Sequence, residues 1–139
     1  MIHINDRYWP VIVFRFSGQI TMEELERYLT WQDAMVARNL PNASLVLTEN
    51  LRMWEMPLLR RQAAWIKQHE PLLRKYSVGV ALVITSPVVR GMLKALMWMQ
   101  PMPQPHVVCG TTEEALRWLR DRFRSEHIEL PPSLPSTLS

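Results

Sequence analysis

The sequence predicts an α/β fold. It reads as a mostly parallel mixed sheet of about five strands, with an N-terminal antiparallel hairpin and four helices. Three observations carry this. Hydrophobic spacing switches repeatedly between two residues and about 3.6. The segments of strand period are short and rich in β-branched residues. Helix-start signals follow them at Thr21, Ser86 and Gly110-Thr111. The order is β-β-α-β-α-β-α-β-α, and strands alternating with helices imply right-handed crossovers beneath a helical cover.

Ile2 and Ile4 alternate with His3 and Asn5, and residues 11–16 are β-branched and aromatic. The turn-like Asp6-Arg7-Tyr8-Trp9-Pro10 between them makes a hairpin. Gly18 ends the second strand, and Thr21-Met22-Glu23-Glu24 matches a capping box. The helix it opens carries Met22, Leu25, Leu29 and Val36 on one stripe and stops before Pro41. Residues 44–48 form a short apolar strand, followed by a loop through Trp54. A second helix starts near Pro57. Pro71 removes an amide donor from it and clashes with the preceding turn, so a kink or break is expected near Glu70. Residues 78–85 are the most hydrophobic strand, which predicts a central position. Ser86-Pro87 pairs an N-cap with proline at the first helical position and opens a third helix ending near Gln100. Residues 106–109 are the last strand, and Leu116, Leu119 and Phe123 mark the inner side of the fourth helix. The domain spans residues 1–125, and the Pro/Ser-rich stretch 126–139 reads as a flexible tail.

The bulk numbers restrict function. At 139 residues and 47% hydrophobic, the chain has the size and apolar content of one domain with a real core. A net charge of +3, with bases interleaved among acids, does not describe a phosphate-tracking stripe, so no specific nucleic-acid partner is expected. The single Cys109 excludes an intramolecular disulfide and reads as a buried structural thiol. No apolar run reaches the length of a membrane span and no leader pattern is visible, which predicts a cytoplasmic chain.

Three stretches resemble a known family. They are residues 8–18 (YWPVIVFRFSG), residues 60–65 (RRQAAW), and residues 79–87 (GVALVITSP) continuing through Arg90-Gly91 to Trp98. The chain resembles the SpoIIAA-like family of bacterial proteins, within the STAS (sulphate transporter and anti-sigma factor antagonist) superfamily, over about residues 1–125. The resemblance implies a switchable interaction module rather than an enzyme. In the anti-sigma antagonist branch it also implies a phosphorylated serine or threonine after the third strand, at a helix start. The matching place reads Leu47-Thr48-Glu49-Asn50-Leu51, which makes Thr48 the candidate. The aspartate that usually precedes the acceptor is absent, and Glu49 would repel a phosphate.

No catalytic residue, metal ligand set or cofactor motif emerges. The four histidines are dispersed, the four glycines form no phosphate loop, and the Glu pairs sit in first helical turns, where they complement the dipole. The expected binding residues are Trp54, Arg60, Arg61, Arg90 and Trp98. Loops leaving the carboxyl ends of parallel strands share one side of a sheet. Trp54, Arg60 and Arg61 are therefore expected beside Ser86 and Arg90, as an apolar and cationic face for an acidic group. Trp98 falls off the apolar face of its helix, near Gly91, and is read as a contact with another surface. Two partner classes follow. One is a protein, with a homodimer included, for which a filled core and an exposed apolar patch are expected. The other is a small apolar ligand or lipid, suggested by the family's likeness to SEC14-type carriers, for which a cavity of roughly 300 Å³ or more is expected.

Overall fold

The computed structural model describes residues 1–136. Its elements are β1 (Ile2–Tyr8), β2 (Val11–Gly18), α1 (Met22–Val36), β3 (Asn42–Leu51), α2 (Met56–Gln68), α3 (Glu70–Tyr76), β4 (Ser77–Val83), α4 (Pro87–Met99), β5 (His106–Cys109) and α5 (Thr112–Ser125). The strands lie in the order β1-β2-β3-β4-β5, with β1 antiparallel to β2 and all other pairs parallel. The expected mixed sheet and hairpin are therefore present.

The local signals act as read. Thr21 Oγ1 accepts from the Glu24 amide at 3.1 Å and starts α1. Ser86 Oγ accepts from the Val89 amide at 3.4 Å, with Pro87 opening α4. Pro71 does more than kink its helix. It separates α2 from a further helix, α3, so the described residues form five helices and not four. Two further details differ from expectation. The middle strand is β3, with β4 beside it, and β3 continues to Leu51 because Gly18 on β2 pairs with that residue.

The sheet is buried on both faces, as the unbroken run Val11–Phe14 requires. Ile12, Phe14 and Phe16 join Leu25, Leu29 and Trp65 in a core under α1, α2 and α4. Val11, Val13, Leu45 and Ala81 join Leu116, Leu119 and Phe123 of α5 in a second core on the other face. Gly79 on β4 makes that second layer close-fitting. A Cβ there would stand 2.8 Å from the ring of Trp118.

Beyond α5, described residues of the Pro/Ser-rich stretch make contacts with the domain. Ile128 and Leu130 pack on the second core, and Leu134 is only 4% exposed. The Arg120 guanidinium on α5 donates to the Leu134 and Pro135 carbonyls at 2.8 and 2.9 Å. Residues 137–139 lie outside the described residues.

Candidate functional site

Strand β3 builds the site. Its alternation sends Ala43, Leu45 and Leu47 to the core under α5. Asn42, Ser44, Val46 and Thr48 point the other way and line a cavity of about 160 Å³ against the helical layer. A middle strand covered on both sides is ordinarily apolar throughout. Here a side-chain amide and two hydroxyls face an interior space.

Trp54 borders that space. The loop 52–55 turns inward, the Trp54 amide approaches Met92 Sδ at 3.0 Å, and the indole lies 6.1 Å from the Phe16 ring. Trp54 is 8% exposed, and its Nε1 is buried without a hydrogen-bond partner. Gln104 Oε1, which also lines the cavity, is likewise buried and unpartnered. Tyr28 accepts from Gln32 Nε2 at 3.0 Å, and burial pushes its phenol up to about 12. Among the described residues, none that lines the cavity is ionisable at neutral pH.

Each binding residue read from sequence has its own surroundings. Trp54 faces inward rather than out of its loop. With β3 running to Leu51, the connection to α2 is short and the indole packs on Phe16 rather than reaching solvent. Arg61 donates to Glu26 on α1, Nε to Oε1 at 2.5 Å, and so serves the α1–α2 seam. Arg90 is exposed but bonds locally, its Nε donating to the Ile84 carbonyl at 3.0 Å. Arg60 is exposed on α2. Thr48 stands inside β3 rather than after it, and its hydroxyl donates to the Val83 carbonyl of β4 at 2.8 Å. That bond directs the hydroxyl into the sheet.

Trp98 is placed as expected, off the packed side of α4, and is 89% exposed. Val88, Gly91, Ala95 and Trp98 follow helical spacing, and all are exposed or half-buried. Met99 adjoins them, Arg90 and Lys94 lie within the same helix, and α4 contains no acidic residue. Gly91 has an ordinary backbone conformation, and nothing lies within 4 Å of where its Cβ would be.

The remaining polar cluster is a clamp. Asp33 on α1 accepts from Trp65 Nε1 at 2.8 Å and lies 3.1 Å from His69 Nε2, with the Trp65 and His69 rings stacked 4.3 Å apart. Among the described residues no three His, Cys, Asp or Glu side chains gather as a metal site. Cys109 is buried, which pushes its thiol pKa up. Among the described residues no helix is long and apolar enough to cross a membrane.

Sequence reasoning missed the cavity's polar wall, although a signal was present. Asn42-Ala43-Ser44-Leu45-Val46-Leu47-Thr48 alternates polar with apolar almost throughout. On an edge strand that pattern means a solvated face. Only the helical layer packed over β3 makes it an interior one.

No family model matches the chain, and no curated protein matches it. Solved structures do. One is an uncharacterized protein of the DUF3478 family with a SpoIIAA-like fold from Shewanella loihica PV-4. It is 18% identical with a TM-score of 0.64, over 86% of this chain and 92% of that one. Another is an anti-sigma factor antagonist from Mycobacterium paratuberculosis, 24% identical with a TM-score of 0.56, over 87% of this chain and 94% of that one. At these identities the likeness concerns architecture, and its conclusion is that this chain has the SpoIIAA-like α/β fold.

Proposed function

We propose that the protein is a non-enzymatic STAS-like interaction module of bacterial signalling or regulation, working in the cytoplasm, and that a partner protein docks on the outer face of α4. One observation carries the reading. Trp98 stands 89% exposed on a helix whose outward stripe continues through Ala95, Gly91 and Val88. Large aromatic side chains are the usual energetic centres of protein interfaces. Gly91 agrees with this. Glycine inside a helix costs about 1 kcal/mol relative to alanine, and no contact within the chain calls for it. It does let another backbone approach closely. Arg90 and Lys94, with no acid on the helix, favour an acidic, partly apolar segment as the partner. The anti-sigma factor antagonist of the same fold supports the protein-binding reading by analogy.

The test is to place a photo-crosslinking aromatic residue at position 98 in the source cell and identify what it captures. The captured protein is then purified and titrated. Arg90→Glu and Lys94→Glu should weaken binding, more so at low salt. Arg117→Glu on α5, exposed on the opposite layer, should not. A crosslink to a second copy would make the partner the chain itself. Equal losses from all three reversals, or capture by anionic vesicles alone, would remove the docking face.

A further inference from the structure

We propose that the space between β3 and the helical layer is a binding site for a small, uncharged apolar molecule, about one six-membered ring in size. The inference stands apart from the α4 docking face, and loss of either one leaves the other standing.

The packing of the sheet carries it. A parallel sheet covered by helices is buried on both faces, and its middle strand has no solvent edge. On the face under α1, α2 and α4 the burial runs the other way. Ile12, Phe14 and Phe16 of β2 are buried, and so are Val80 and Leu82 of β4. Between them, in register, Ser44, Val46 and Thr48 of β3 are only half-buried. On the opposite face Ala43, Leu45 and Leu47 of the same strand are all buried. Side-chain size is the cause. Each of Ser44, Val46 and Thr48 stands beside a larger residue of β2, so helices resting on the flanking strands bridge a trough over the middle one. In an interior otherwise packed to crystal-like density, the walls of such a trough lack contacts that an occupant would supply.

Size and charge then define the occupant. The trough holds about 160 Å³. An apolar protein cavity of about 150 Å³ admits benzene. Among the described residues none of the lining is ionisable at neutral pH, so a carboxylate, phosphate or ammonium inside it would be buried without a counter-ion. Gln32, Asn42 and Thr48 on the wall donate within the chain, to Tyr28 Oη at 3.0 Å, the Leu40 carbonyl at 2.9 Å and the Val83 carbonyl at 2.8 Å. Leu59, Ile66, Leu93 and Leu96 close the trough from the helices with hydrocarbon alone. Helix α3 marks the way in. Leu72, Leu73 and Tyr76 line the cavity, yet every residue of α3 is exposed or half-buried. Leu72, 36% exposed, borders both the cavity and the solvent.

The experiment uses the intact chain with toluene, benzoate and decanol. The readouts are the rise of the unfolding midpoint with ligand concentration and the methyl resonances of Val46 and Leu72. Val13 on the other face and the Trp98 indole serve as references. Toluene should raise the midpoint saturably and move Val46 and Leu72. Benzoate should bind about tenfold or more weakly than toluene, and decanol, whose chain outruns the space, should displace toluene poorly. Ser44→Leu and Val46→Phe fill the trough from its floor. Each should keep or raise the midpoint and weaken toluene about tenfold or more. If one fails to fold, the other decides. The proposal is overturned if toluene does not bind, if its shifts centre on Val13 or Trp98, or if benzoate or decanol binds as tightly. It is also overturned if a folded filling variant keeps full toluene affinity, or if neither variant folds, since the trough would then have no room to fill.

Discussion

Truncating Trp98 should separate stability from binding. The side chain is 89% exposed, so about a tenth of it is covered by its own chain. A tryptophan presents about 200 Å², and at about 25 cal/mol per Å² the covered part stabilises the fold by about 0.5 kcal/mol. Alanine is the better helix former by a similar amount. Trp98→Ala should therefore leave the unfolding free energy within about 0.5 kcal/mol of the parent. A partner that covers the ring has much more to lose. The exposed remainder gives a ceiling of about 4 kcal/mol by the same coefficient, and interface tryptophans commonly contribute about 2 or more. The expected loss of affinity is about 30- to 700-fold. Urea unfolding followed by circular dichroism gives the first quantity, and calorimetric titration with the crosslinked partner gives the second. A stability loss of about 3–5 kcal/mol, the usual cost of deleting a packed tryptophan, would refute the reasoning from the fold side. Unchanged affinity would refute it from the binding side.

Gly91→Ala should stabilise the free protein by about 0.5–1 kcal/mol and weaken the partner, a pairing that separate urea and titration measurements can break. Gly79→Ala should cost about 1–3 kcal/mol, because the new methyl meets the Trp118 ring at 2.8 Å. Most of that cost should vanish in a Trp118→Leu background, and a strictly additive double mutant would show the clash to be irrelevant. Tyr28 predicts an alkaline transition, since burial raises its phenol from 10.0 to about 12. The unfolded chain ionises first, so stability holds below pH 10 and falls as pH rises through that window. The loss should approach about 3 kcal/mol above the upper limit. Tyr28→Phe should remove that part of the slope, and an unaltered slope would assign it to other groups.

What the sequence made legible was local. Thr21, Ser86-Pro87 and Pro71 act on amides within a turn of themselves, so their effects needed no knowledge of the fold. The exposure of Trp98 was legible for the same reason, because helical spacing alone sets it against the packed face of α4. Trp54 was not. Its inward turn depends on β3 ending at Leu51, which depends on pairing with Gly18 more than thirty residues earlier in the chain. The cavity wall was hidden by the same kind of non-local fact, since Ser44 and Thr48 look solvated until the helical layer is placed over them. The arginines divided for reasons no charge count contains. Arg61 found Glu26 across a helix seam, and Arg90 found the carbonyl of Ile84.

Helix α4 is a shared wall. Met92, Leu93 and Leu96 line the cavity from its inner side, while Trp98 stands on its outer side. A thirteen-residue helix cannot shift on one side alone. An occupant that presses the inner residues outward also repositions the indole, and a partner gripping the indole also resizes the cavity. Thermodynamic linkage then requires reciprocity: whatever factor an occupant of the cavity applies to the partner's dissociation constant, the partner applies to the occupant's. Measuring both constants with and without the other ligand closes the cycle. A factor of one would mean that α4 stays rigid between two independent sites. Any other value would make the chain a sensor, reporting the contents of its interior on its surface.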